Sequence, residues 1–195
     1  MGDIILSTAA QQYGGFTVPE VDKILAPYAK KSYDKYVSEF LKYSDESWSG
    51  REERAIEYAL DKVRRDYDQG WQGIEYKLNT VGSSRGDYPF VTVTLGLGTE
   101  QFEKMCTVSL LEVHQGGQGK AGHKKPVLFP KIVFLYDKEI HGPGKCCEDI
   151  FEAGVECSSK TMYPDWLSMS GAGYISSMYK KYKKVISPMG CRAFL

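Results

Sequence analysis

The sequence predicts an α/β fold with a largely parallel sheet. Strand-like and helix-like segments alternate along the chain, and the strand segments are rich in apolar and β-branched residues. The chain has 195 residues, 42% of them hydrophobic, which is ample material for a core. No internal repeat, low-complexity run or long polar linker divides it, so a single unit covering residues 1–195 is expected.

The first long helix is expected from Thr17. Thr17 and Glu20 make a capping-box pattern, and Val21, Ile24, Leu25, Tyr28, Tyr33, Tyr36, Val37, Phe40 and Leu41 follow at helical spacing. Pro27 should kink or divide this helix. A second capping box, Ser49 with Glu52, opens a helix with the stripe Ala55, Ile56, Ala59, Leu60, Val63 and Tyr67, and Gly70 is expected to close it. PFVTVTLGL then alternates apolar and hydroxyl residues as a strand does, and Thr99 can cap the helix carrying Phe102, Met105, Cys106, Leu110 and Val113.

The glycine-rich stretch from Gln115 to Pro126 reads as a flexible loop, and VLFPKIVFLY as a strand buried on both faces, with Pro130 marking a bend or bulge. Helices are expected at Glu148 to Val155 and at Asp165 to Lys183, the latter turning Leu167, Ile175, Met178, Tyr179 and Tyr182 inward. KVISPMGCRAFL should begin as a short strand and become a Pro/Gly turn. The chain stops on apolar Ala193, Phe194 and Leu195, which reads as a cut through a larger fold.

Charge narrows the function classes. Lys plus Arg and Asp plus Glu balance at 25 each, so no net field draws the chain to nucleic acid or to an anionic membrane. No stretch approaches the roughly 20 apolar residues of a membrane span, and the first residues lack the pattern of a signal peptide. A cytoplasmic protein without nucleic-acid or membrane partners is expected. The five cysteines, Cys106, Cys146, Cys147, Cys157 and Cys191, are odd in number and lack C-x-x-C spacing, so reduced thiols are expected. His114, His123 and His141 form no H-E-x-x-H pair, and no metal site is expected.

Three segments could carry chemistry. Cys191 lies in Ser187-Pro188-Met189-Gly190-Cys191-Arg192, where proline and glycine favour a tight loop that aims the thiol. Taken on residue type and context alone, it reads as a small buried hydrophobe. Gly82-Ser83-Ser84-Arg85-Gly86-Asp87 precedes a strand and offers hydroxyls, backbone N–H groups and a guanidinium suited to phosphate or ribose oxygens, or to a polar turn. The run from Gly116 to Lys125 suggests a phosphate cradle but fails the P-loop pattern, because no Ser or Thr follows Gly119-Lys120.

Several motifs together resemble the anaerobic, class III ribonucleoside-triphosphate reductases. They begin with Gly14-Gly15-Phe16-Thr17-Val18-Pro19, Leu25-Ala26-Pro27-Tyr28, Leu78-Asn79-Thr80, Ser83-Ser84-Arg85-Gly86 and Pro89-Phe90. Phe129-Pro130-Lys131-Ile132-Val133-Phe134, Met162-Tyr163-Pro164-Asp165 and Pro188-Met189-Gly190-Cys191-Arg192-Ala193-Phe194-Leu195 follow in the family's order. The resemblance covers essentially the whole chain.

It implies about half of a ten-stranded α/β barrel of the glycyl-radical type, with Cys191 at the tip of a finger loop in the barrel's centre. Cys191 would be the radical thiol, oxidised by a glycyl radical outside this chain, and would abstract the 3′-hydrogen of a ribonucleoside triphosphate before the 2′-hydroxyl leaves as water. Ser83, Ser84 and Arg85 would line the substrate site, and Met189 and Gly190 would shape the loop beside it. The resemblance further implies an activase carrying S-adenosylmethionine and an iron–sulfur cluster, formate or a thiol as reductant, ATP and deoxynucleotide effectors, and a homodimer. The glycyl-radical motif, a four-cysteine zinc site, the ATP-sensing region and a second active-site cysteine would lie outside residues 1–195, so this piece alone is expected to be inactive. Two other readings are a non-catalytic nucleotide-binding or assembly module built on the same scaffold and a pyruvate formate-lyase-like enzyme, against which MYPD and PMGCR count.

Overall fold

The computed structural model describes residues 1–9, 11–12, 15–82, 86, 88 and 90–189. In chain order the elements are α1 (Gly2–Ala9), β1 (Phe16–Val18), α2 (Val21–Tyr43), α3 (Arg51–Thr80), β2 (Val91–Leu95) and α4 (Gln101–Gly116), followed by β3 (Lys131–Tyr136), α5 (Lys138–His141), α6 (Glu148–Thr161), β4 (Asp165–Ser168) and α7 (Tyr174–Tyr182). The four strands form one sheet in the order β1-β2-β3-β4, every neighbouring pair parallel. The expected α/β class with a parallel sheet is therefore what the chain adopts.

Register sorts the side chains onto two faces, because paired residues in adjacent parallel strands point the same way. Thr17 pairs with Thr92 and Thr92 with Lys131; Thr94 pairs with Val133 and Val133 with Asp165. The alternate positions, Val91, Val93, Leu95, Ile132 and Phe134, join Val63, Trp71, Cys106, Leu110, Ile150 and Cys157 in the main core. Helices α2, α3, α4 and α6 pack against one another over that face. A smaller cluster on the other face joins Leu97, Val133, Leu135 and Met169 to Leu167, Ile175, Tyr179 and Val185, so α7 and the chain after it cover part of that side. Each fully buried large side chain in these clusters contributes about 1.5–3 kcal/mol over its exposed state.

Several element ends differ from expectation. Thr17 lies in β1 and caps nothing; α2 starts at Val21 after Glu20, whose backbone is left-handed at φ 43 and whose N–H goes to Thr94 Oγ1 at 2.9 Å. The tertiary partner outweighs the local capping pattern. Helix α2 also runs on through Pro27 undivided to Tyr43. Gly50, left-handed at φ 68, replaces Ser49 as the N-terminal boundary of α3. Gly70 does not end that helix. Trp71, Glu75 and Leu78 continue its buried stripe to Thr80, and their burial exceeds the roughly 1 kcal/mol that a mid-helix glycine costs.

Glu100, not Thr99, caps α4, with Glu103 Oε2 accepting from the Glu100 N–H at 2.9 Å. The loop expected to be flexible after α4 is closed by an antiparallel bridge in which Gln118 and Lys125 exchange backbone bonds of 2.9 and 2.8 Å. The largest correction falls on residues 165–183. Asp165–Ser168 is strand β4, paired with Val133–Tyr136, and only Tyr174–Tyr182 is helical. Leu167, Ile175 and Tyr179 do pack inward, whereas Tyr182 is exposed. The strand expected at the start of KVISPMG is absent from residues 184–188, which cross the sheet as irregular chain.

Candidate functional site

The loop linking β2 to α4 is fixed first. Gly96 takes φ 110, and a Cβ there would lie 3.2 Å from Leu135 O and from the Phe134 ring, so only glycine fits. Asp22, fully buried in the first turn of α2, accepts from the N–H groups of Gly96 at 3.0 Å and Gly98 at 3.1 Å. Burial pushes its carboxyl above the ordinary range, partly offset by the backbone N–H groups that favour the anion. His141 Nδ1 accepts from Asp137 N at 3.0 Å, so Nε2 carries the proton and donates to Gly96 O at 2.8 Å. Burial holds His141 below the usual histidine value, so the ring is neutral. Sequence reasoning found no role for Asp22 or His141, because their partners lie in distant segments.

The face of the sheet opposite the helical layer carries the polar groups. Thr17, Thr92 and Thr94 stand there on adjacent strands, with Lys131 and Asp165 in the same rows. The chain after α7 crosses these hydroxyls. Thr17 Oγ1 donates to Pro188 O at 2.6 Å, and Thr94 Oγ1 lies 3.2 Å from Ser187 Oγ. Thr92 Oγ1 is buried and has no hydrogen-bond partner among the described residues. Beside this crossing opens a cleft of about 420 Å³ lined by Gln12, Gly15, Phe16, Thr17, Val185, Ile186, Ser187 and Met189. The VTVTL alternation was legible as a strand, but nothing local revealed that its hydroxyls meet residues 187–188.

Of the residues singled out from sequence, Met189 is thus placed in the cleft beside Thr17. Ser83, Ser84, Arg85, Gly190 and Cys191 lie outside the described residues. The other thiols sit elsewhere. Cys106, Cys147 and Cys157 are buried in the helical core, and Cys146 is exposed with its Sγ 3.6 Å from Cys147 Sγ. All four are free cysteines. Burial pushes the Cys147 thiol up to about 12 and also raises Cys106 and Cys157, which keeps these three protonated near neutral pH. Among the described residues, no group of three or more His, Cys, Asp and Glu side chains gathers as a metal site, and no helix is long and apolar enough to cross a membrane.

A second cleft of about 440 Å³ lies between α1, α2 and α3, lined in part by Tyr28, Trp71 and Lys77, and contains no candidate site residue. A buried pair, Glu75 Oε1 with His114 Nδ1 at 2.8 Å, joins α3 to α4 within the helical layer, with Gln118 Nε2 on Glu75 Oε2 at 3.2 Å. These features join helices and carry none of the candidate residues.

Comparison with known proteins decides the family. Residues 1–195 match the family described as anaerobic ribonucleoside-triphosphate reductase. The chain belongs to that family. It is 36% identical over 199 residues to the anaerobic ribonucleoside-triphosphate reductase of Enterobacteria phage T4, covering all of this chain and 30% of that protein. It is also 36% identical to the Haemophilus influenzae protein of the same name and 34% identical to that of Escherichia coli, covering 98% of this chain and 25% of each relative. This reductase chain therefore spans between a quarter and a third of the length of the curated relatives it matches.

Proposed function

We propose that residues 1–195 form the part of an anaerobic ribonucleoside-triphosphate reductase that carries the substrate-attacking thiol, Cys191, within a ten-stranded barrel. One observation carries this reading beyond family membership. The segment leading to Cys191 is held by hydrogen bonds across the hydroxyl-bearing face of the parallel sheet, away from the packed helical layer. Pro188 O is tied to Thr17, and Cys191 follows three residues later in the sequence.

In this reading a glycyl radical elsewhere in the full-length enzyme takes the hydrogen of the Cys191 S–H, forming a thiyl radical and restoring glycine. The thiyl then takes the ribose 3′-hydrogen, and the substrate radical loses its 2′-hydroxyl as water. A serine O–H is too strong for a glycyl radical to break, whereas a thiol S–H is matched to both C–H bonds. Met189 and Gly190 set the approach of the loop, and Ser83, Ser84 and Arg85 line the nucleotide site. Arginine suits a phosphate because its planar fork of donors contacts two oxygens at once. A separate activase with S-adenosylmethionine and an iron–sulfur cluster supplies the glycyl radical, formate or a thiol supplies the reducing electrons, ATP and deoxynucleotides act as effectors, and two copies pair.

The test is Cys191→Ser in the full-length reductase. Electron spin resonance should show a glycyl radical of normal yield and nucleotide binding should persist, while deoxynucleotide formation disappears. Turnover by the Cys191→Ser enzyme would remove Cys191 from the role assigned to it. Cys106→Ser and Cys147→Ser serve as contrasts and should keep turnover, because both thiols are buried in the helical layer.

A further inference from the structure

Nothing in the chemistry assigned to Cys191 explains why the chain before it is tied to two strands at two successive residues. Pro188 has no N–H, so its carbonyl is its one backbone hydrogen-bonding group, and that carbonyl accepts from Thr17 on β1. One residue earlier, Ser187 Oγ meets Thr94 Oγ1 on the neighbouring strand β2. Thr94 Oγ1 is itself held, since it accepts the Glu20 N–H at 2.9 Å. A single contact would leave the segment free to pivot. Two contacts on adjacent, hydrogen-bonded strands fix both its height above the sheet and its rotation.

We infer that the hydroxyls of Thr17 and Thr94 act as a two-point clamp that positions the Cys191 loop, with Thr17 as the principal positioning residue. This rests on the reading that Cys191 is the reacting thiol. Three further observations favour positioning over mere packing. Pro188 is buried and its neighbours are half-buried, so water competes weakly for the carbonyl that Thr17 holds. Thr17 is a strand residue with a stiff β-branched side chain, which presents its hydroxyl in a defined direction. Cys191 follows Pro188 by three residues in the sequence, so few rotatable bonds separate the clamp from the thiol. Hydrogen transfer between a thiol and a ribose carbon is steep in distance, and a displacement of about 1 Å at a reacting centre costs on the order of 100-fold in rate.

Thr17 touches no reacting atom in this scheme. Its loss should therefore lower kcat while leaving nucleotide affinity and the radical supply intact. Thr17→Val removes the donor at nearly constant shape, and Thr17→Ser keeps it. Both are made in the full-length reductase, activated in the usual way and compared by glycyl-radical yield, KM for nucleotide and kcat for deoxynucleotide formation. The expected result is a fall in kcat of about 10-fold to 100-fold for Thr17→Val, with KM and radical yield within about 2-fold of the parent, and near-complete recovery for Thr17→Ser. Parental kcat in Thr17→Val, or a loss that Thr17→Ser does not reverse, overturns the inference. Should Thr17→Val fail to fold or to accept the radical, Ser187→Ala decides the matter: a several-fold fall in kcat at normal radical yield supports the clamp, and parental turnover overturns it. Failure of the underlying reading shows differently, as turnover retained by Cys191→Ser.

Discussion

On the helix-covered face of the sheet, Val91, Val93, Leu95, Ile132 and Phe134 pack into one apolar core with residues of α2, α3, α4 and α6. On the opposite face the same strands present Thr17, Thr92 and Thr94 together with Val133 and Leu135, and the chain crossing them makes hydrogen bonds. Every residue of β2 is buried, so the contrast is not one between inside and outside. Both faces are dry. One is filled by a large apolar core, and the other by a smaller apolar cluster together with directional hydroxyl contacts. The larger apolar core lies on the first, and the hydroxyl contacts to Ser187 and Pro188 lie on the second.

The largest effect that could break this division is expected from Phe134→Ala. The Phe134 ring is fully buried and packs 4.7 Å from Trp166 and 5.0 Å from His141 by ring centroids. Its removal should destabilise the full-length protein by about 3–5 kcal/mol in chemical denaturation. A loss below about 1 kcal/mol would show that the helix-covered face does not dominate stability.

Element positions were legible wherever a segment's own residues decide its structure. VTVTL and KIVFLY declare themselves as strands by branching and apolarity, and EDIFEAGVECSSKT as a helix by its stripe. Boundaries set by distant partners were not legible. Glu20 adopts a left-handed backbone with its N–H on Thr94, 74 residues away, and DWLS becomes a strand because β3 offers it an open edge, although Leu167 falls in phase with a helical stripe. The candidate site follows the same rule. PMGCR could be read locally, but the hydroxyls that meet Pro188 and Ser187 come from residues 17 and 94, and no spacing pattern links them.

An intermediate effect is expected at His141, which ties α5 to the chain after β2 through Gly96 O. Burial lowers its proton affinity in the folded state, so the unfolded chain takes up a proton near pH 6.5 that the folded chain refuses. Stability from this group is therefore present above about pH 6.5 and is lost as pH falls through that value toward the lowered folded one, with a slope of at most about 1.4 kcal/mol per pH unit. Denaturation midpoints of the parent and His141→Gln, measured at several pH values between about 7.5 and 5, should diverge at the acid end. The glutamine amide can still donate to Gly96 O but takes up no proton. Parallel pH profiles would remove His141 from the linkage.

The smallest effect on stability, and the sharpest on the comparison, is expected from Thr92→Val. The Thr92 hydroxyl is buried without a partner among the described residues, so replacing it with a methyl of similar shape should change stability by no more than about 1 kcal/mol, in either direction. A loss above about 2 kcal/mol would reveal a strong partner for this hydroxyl and would make it a third structural anchor.

The clamp also carries information about when the chain can finish folding. Asp22 cannot be buried until Gly96 and Gly98 exist, 74 and 76 residues later, and Thr17 waits 171 residues for Pro188. A chain synthesised from its N-terminus can assemble α2, α3, β2 and α4 around Asp22 while the second face of the sheet still lacks its cover. Closing a loop of that length is slow and costs entropy that no local contact offsets in advance. The part of the helical layer up to α4 can thus assemble before Ser187 and Pro188, which meet Thr94 and Thr17, have been made.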